Sequence, residues 1–202
     1  IVDEQNETLS EALSQSGYRT GAVVANHEAM SPDSGLSQGF NYYLTDFGDY
    51  LPPVHFIAGY IVKKLNPNSF VFLLHQNINA HAVNKHAIKW IENNSGSPFF
   101  LFLNYMDAHA PYLPPPPYDR IWNSQDRNSN LFRPPANYAE FSMEVNSGQR
   151  SVTPEEFDYL TGQYDGGIRY MDDQIGELFK HMRELGVFDN SLIIVTSDHG
   201  EF

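Results

Sequence analysis

A chain of 202 residues, 41% hydrophobic and 14% aromatic, can fill a real core and is not a disordered tail. Its 12 Lys and Arg stand against 25 Asp and Glu, a formal charge of −13. That balance excludes the basic face that nucleic-acid phosphates require, and it makes binding of an anionic substrate depend on a local cation, usually a metal ion. Cysteine is absent, which excludes disulfides, thiolate zinc sites and a cysteine nucleophile within these residues.

Taken in chain order, Thr8 to Ser16 places Leu9, Ala12 and Leu13 at helical spacing, with Gly17 where a capping glycine belongs. Thr20 to Ala25 is a short apolar run of small and β-branched residues that reads as a buried strand delivering Asn26 and His27 at its end. Ser31 to Gly39 is turn chemistry, and Phe40 to Tyr50 has no period and reads as irregular. A helix is expected from Val54 to Leu65 and another from Ala80 to Asn93, where Val83, Ala87, Ile88 and Ile91 repeat and Asn94 to Pro98 stops the chain. Phe99 to Leu103 is too short for a free-standing helix and reads as a central strand.

Residues 111–154 hold most of the 13 prolines and read as a long functional excursion. A long helix is predicted from about Pro154 to Leu185, with Tyr164, Ile168, Met171, Ile175, Leu178, Met182 and Leu185 as its packing stripe and Gly186 beyond its end. Ser191 to Thr196 reads as a further buried strand. This alternation predicts an α/β fold with a mostly parallel sheet between helices, a three-layer α/β/α sandwich. No apolar run reaches the roughly 18 to 20 residues of a membrane span. The start, Ile-Val-Asp-Glu-Gln-Asn, has no signal-peptide character. With its end just after a strand, the chain is expected to be an internal piece of something longer.

Parallel sheets bind ligands beyond the carboxyl ends of their strands. Three such ends are polar here: Asn26-His27, the run from Asn104 to His109, and the run from Ser197 to Glu201. Asp198 and His199 read as metal ligands, a carboxylate and an imidazole brought onto one cation by the turn at Gly200. His109 can donate to an anionic ester or protonate a leaving oxygen, because imidazole titrates near neutral pH. His27 is a further candidate. His55, His75, His81, His86 and His181 lie outside any such convergence and read as surface or packing.

In order along the chain stand Gly17 to Thr20, Gly39-Phe40, Pro98 to Leu103 followed by Asp107 to Tyr112, Tyr170 to Gly176, and Asp189 to Leu192 leading to Ser197 to Glu201. This ordered set resembles the sulfatases of the alkaline phosphatase-like superfamily over nearly the whole chain. The resemblance implies the α/β/α sandwich, hydrolysis of a small anionic sulfate ester, and one divalent cation held in part by Asp198 and His199. Calcium comes first by the family's weight, with manganese or zinc as alternatives raised by the imidazole ligand. It further implies a formylglycine nucleophile made from Cys or Ser in a Cys-x-Pro-Ser-Arg motif, contact of His109 with the sulfate and leaving oxygen, and a role for His27 in breakdown of the sulfated intermediate.

The sequence departs from the family where its lysine reads Ala25 and where Gly-Phe-Asp reads Gly39-Phe40-Asn41. The nucleophile motif and the early acidic metal ligands do not occur here. The expectation is therefore that residues 1–202 are the central part of one catalytic domain, inactive alone, with the nucleophile strand and the C-terminal part outside them. The resemblance points to a secreted, periplasmic or lysosomal protein, with a cytoplasmic one also open. The competing readings are a phosphodiester or phosphonate ester hydrolase or phosphoglycerol transferase of the same superfamily, and a non-catalytic binding domain that kept the fold.

Overall fold

The computed structural model describes residues 2–3, 5–27, 29–47, 79–122 and 138–200. The helix expected over Val54 to Leu65, with His55 and His75, lies outside the described residues. The described chain falls into two compact units, residues 1–47, 80–106 and 173–202 in the first and residues 48–79 and 107–172 in the second.

The first unit opens with helix α1 (Leu9–Gln15). Thr8 and Glu11 form a capping box, in which the Glu11 amide donates to the Thr8 hydroxyl at 3.2 Å and the Thr8 amide to the Glu11 carboxylate at 2.8 Å, satisfying two amides that the first turn leaves open. Gly17 follows with φ +87°, a value glycine adopts without the steric cost other residues meet. Strand β1 (Arg19–Val24) then runs through the middle of a parallel sheet, between β2 (Tyr42–Leu44) and β3 (Phe99–Asn104). Gly21 pairs with Tyr42 on one side and Leu101 on the other, and Val24 pairs with Asn104. β2 corrects the expectation that 40–50 is irregular: three residues are too few to show a period, and their strand character comes from the neighbour they pair with.

Helix α2 (Ala80–Asn94) covers one face of this sheet. A Cβ on Gly21 would lie 2.5 Å from Trp90 Cε2, so the Trp90 ring rests directly on the β1 backbone. Ala87, Trp90 and Ile91 join Leu178 and Met182 in one buried cluster, with Phe99, Leu101 and Leu103 of β3 against it. Full burial of such a side chain contributes roughly 1.5 to 3 kcal/mol. On the other face Phe100 stacks on Phe40 at 5.7 Å, and Thr20 Oγ1 donates to the Gly39 carbonyl at 2.7 Å. The α/β class and the parallel sheet are as the sequence predicts.

Helix α4 (Pro154–Glu184) follows α3 (Tyr138–Asn146). α3 was not expected, because the excursion shows no sustained period. Thr153 and Glu156 close a second capping box at the start of α4, with the Thr153 amide donating to Glu156 at 3.0 Å and the Glu156 amide to Thr153 Oγ1 at 3.2 Å. The predicted packing stripe holds at Leu178 and Met182, which are buried, but not at its last member, Leu185, which is exposed. In the N-terminal half it is one position off: Gln163, Gly166, Gly167 and Tyr170 are buried while Ile168 is exposed. Two of these inward positions are glycines, which a search for apolar side chains passes over.

Ser191 to Thr196 departs from the buried strand expected there. After a 3-10 turn (Phe188–Asn190) Ser191 is extended, but the segment joins no ladder among the described residues. Ile193 packs on the core cluster, whereas Leu192, Ile194 and Val195 are 88%, 76% and 74% exposed. Strand propensity alone does not make a strand; the segment would need to pair with an outer edge of β2 or β3, and among the described residues it does not.

Candidate functional site

Two of the three polar strand ends come together in the first unit. Because Val24 and Asn104 are in register, the residues that follow β1 meet the last residue of β3. The Ala25 amide donates to the Asn104 carbonyl at 3.2 Å, and the Asn26 amide donates to Asn104 Oδ1 at 2.8 Å. Asn26 Oδ1 in turn accepts from the Ala29 amide at 3.1 Å, and the Met30 amide donates to the Asn26 carbonyl at 3.0 Å. His27 thus stands exposed in a turn pinned to β3. The sequence reading named Asn26 and Asn104 only as polar neighbours, and their work as a lash between strands depends on the register.

Beyond β3, the Tyr105 hydroxyl donates to Asn84 Oδ1 at 2.7 Å, and Asn84 Nδ2 donates to the Gln174 carbonyl of α4 at 2.6 Å. Asn84 is only 4% exposed; a single buried amide ties α2, α4 and the exit of β3, satisfying its donor and acceptor together. His86 packs edge-on against Phe47 at 5.2 Å, in keeping with its reading as a packing histidine.

His109 belongs to the second unit. It is exposed, and its Nδ1 lies 2.6 Å from the Ala110 carbonyl oxygen. A carbonyl only accepts, so this contact assigns a ring proton to Nδ1. A cavity of about 290 Å³ in the same unit is lined by Trp122, Asp165, Ile168, Arg169 and Asp172; none of the predicted site residues lines it.

The third cluster is not sheet-paired. The His199 amide donates to Asp198 Oδ1 at 3.0 Å, Ser197 Oγ donates to the His199 carbonyl, and His199 Nδ1 lies 2.6 Å from the Gly200 carbonyl. By the same argument as for His109, a ring proton is assigned to Nδ1. His199 Nε2 and Asp198 Oδ2 are 3.8 Å apart and solvent-exposed, a separation that two ligands each about 2.0 to 2.5 Å from one ion can span. The pair therefore fits part of a cation site. Among the described residues no group of three acidic, His or Cys side chains could hold a metal.

A family model described as Sulfatase matches residues 2–202. Among curated proteins, the chain is 28% identical over 132 residues to the multifunctional alkaline phosphatase superfamily protein PehA of Trinickia caryophylli, covering 57% of this chain and 26% of that protein. It is 25% identical to an arylsulfatase of Clostridium perfringens, covering 58% and 27%. With the iduronate 2-sulfatase of Mus musculus it shares 30% identity, covering 56% and 24%. The chain thus spans about a quarter of the length of the curated relatives it matches. No solved structure matches it.

Proposed function

We propose, from the premise that this chain belongs to the sulfatase family, that the protein carrying it hydrolyses a sulfate monoester. The observation that carries this reading is the family match over residues 2–202, and two relatives named as sulfatases support it. In such a reaction the bond between sulfur and the alcohol oxygen breaks, the oxygen of water ends on sulfur, and the alcohol oxygen takes a proton. His109 is the group assigned to that proton: as an imidazolium it keeps Nδ1–H on the Ala110 carbonyl and gives its Nε2 proton to the alcohol oxygen, which leaves the neutral ring. His27, at the lashed end of β1, is the second acid–base group.

Asp198 and His199 are the residues of this chain that would hold a divalent cation, calcium first, with manganese or zinc as alternatives and the remaining ligands from elsewhere. When bound, that cation supplies positive charge for a small anionic ester, which a chain of formal charge −13 would otherwise repel. The nucleophile proposed is a formylglycine outside the 202 residues, whose sequence holds neither a cysteine nor a serine in the Cys/Ser-x-Pro-Ser-Arg pattern. These residues then form the central part of one catalytic domain.

A second reading, phosphodiester or phosphonate ester hydrolysis, is favoured by the likeness to a multifunctional alkaline phosphatase superfamily protein. The test is to supply the full-length protein with an aryl sulfate and with an aryl phosphodiester or phosphonate. Preferential turnover of the sulfate is expected. Preferential turnover of the phosphorus ester would replace the first reading with the second, and no turnover of either would leave a binding domain.

A further inference from the structure

Glycine is the least helix-favouring residue after proline, yet α4 holds Gly166 and Gly167 side by side in its interior, both buried. Each lies under another stretch of backbone. A methyl group on Gly167 would run into the Asp107 carbonyl oxygen, and one on Gly166 would lie 2.6 Å from the Tyr118 carbonyl oxygen and 3.0 Å from Pro114 Cγ. On the same face one turn earlier, Gln163, 2% exposed, donates from Nε2 to the Asp119 carbonyl at 2.8 Å. Tyr112 packs edge-on against Tyr164 at 5.3 Å, and Tyr118 against Tyr170 at 5.2 Å. Residues 107–119 are therefore seated along α4 at their start, middle and end, with glycines admitting the backbone and an amide side chain anchoring it.

This seat bears on His109. Its ring bonds to the carbonyl of the adjacent Ala110, which orients the imidazole within its own loop but cannot fix where the loop lies. Two residues before it, the Asp107 backbone rests against Gly167. Resting on the role proposed for His109, we infer that Gly167 is a positioning residue for that histidine, with Gly166 and Gln163 holding the rest of the arm on the helix. A displacement of about 1 Å in a group that must meet a reacting atom can lower a rate by about 10².

The test is a double-mutant cycle in the full-length protein with Gly167→Ala and His109→Ala, and Gly176→Ala, where an added Cβ meets nothing within 4 Å, as the control in the same helix. Gly167→Ala is expected to lower kcat by about 10² and Gly176→Ala to leave it unchanged. With His109 already removed, adding Gly167→Ala is expected to change kcat by less than about threefold, because the group it positions is gone. Losses that multiply, or wild-type kcat in Gly167→Ala, would overturn the inference.

Should Gly167→Ala fail to fold, Gln163→Met decides through hydrogen exchange of the Tyr118 and Arg120 amides, which donate to Pro115 and Pro117 within the arm. Exchange at least about tenfold faster, with β1 amides unchanged, is expected, and unaltered exchange would refute the seat. Exchange needs no turnover, so an inactive wild type would sink the sulfatase reading while leaving the seating of the arm tested.

Discussion

At the scale of single residues, the chemistry rests on which nitrogen of each histidine is engaged. His109 and His199 both turn Nδ1 toward the carbonyl of the next residue, at 2.6 Å in each case. One sequence pattern, His followed by a small residue, thus fixes the same ring orientation at two places; the roles proposed for them differ, proton exchange at His109 and metal ligation at His199. Replacing His109 by Ala in the full-length protein is expected to lower kcat by on the order of 10² or more, the usual size of an acid–base contribution; wild-type kcat would remove it from the mechanism. Asp198→Asn keeps the shape but withdraws the charge that attracts a cation. Elemental analysis of the purified full-length protein is expected to show less bound divalent metal in that variant, and equal metal content would release Asp198 from the ligand set.

The sequence made these residue types visible but not their settings. An Asp-His-Gly stretch or an Asn-His pair reads the same in a core turn as in a site. What Asn104 does, holding the Asn26 amide at 2.8 Å, follows from a register between strands 78 residues apart, and no local pattern encodes it.

Among the elements, α4 shows how a local signal and a tertiary one divide a helix between them. Its start is written locally: Thr153 and Glu156 exchange hydrogen bonds, and Arg150 Nη2 lies 2.8 Å from Glu156 Oε1. The Thr153 backbone N–H, with Arg150 adding to it, holds the Glu156 carboxyl below the usual glutamate range. A carboxyl whose folded value is depressed stabilises the fold above its unfolded value and loses that contribution as pH falls through the folded value. Glu156→Gln keeps an acceptor for the Thr153 amide but removes the charge, and is therefore expected to cost about 0.5 kcal/mol near pH 7, as for one acidic charge in a first helical turn. The gap from wild type should close as acid titrates Glu156; urea unfolding at the two pH values measures it, and a gap independent of pH would exclude the charge.

Strand β1 makes the complementary case. Gly21 looks like a weak point in a run of small and β-branched residues, but it is where the Trp90 ring meets the sheet, with a Cβ there 2.5 Å from Cε2. Gly21→Ala is expected to destabilise by about 1 to 3 kcal/mol through overpacking, seen as a lowered unfolding midpoint; an unchanged midpoint would mean that the indole can move aside.

For the whole molecule, the proposed function divides the features of a catalyst between this chain and residues outside it. The proposed acid–base and metal groups lie inside it, a Cys-x-Pro-Ser-Arg motif or its Ser counterpart does not occur in its sequence, and no three-ligand group forms among the described residues. Residues 1–202 expressed by themselves are accordingly expected to show no sulfate-ester turnover under conditions where the full-length protein does, and turnover by them alone would place the nucleophile within this chain. Among the described residues no helix is long and apolar enough to cross a membrane.

The sequence by itself determined the α/β class, the positions of β1, β3, α2 and α4, and the order of motifs that the family match over residues 2–202 bears out. It could do so because periodicity, caps and turn glycines act over a few neighbouring residues. Only the tertiary structure decided that β2 is a strand, that Ser191 to Thr196 joins no ladder among the described residues, and that the N-terminal half of α4 turns its glycines rather than Ile168 inward. A strand exists by virtue of the strand beside it, and a glycine in a helix has meaning only through the backbone that comes to rest on it.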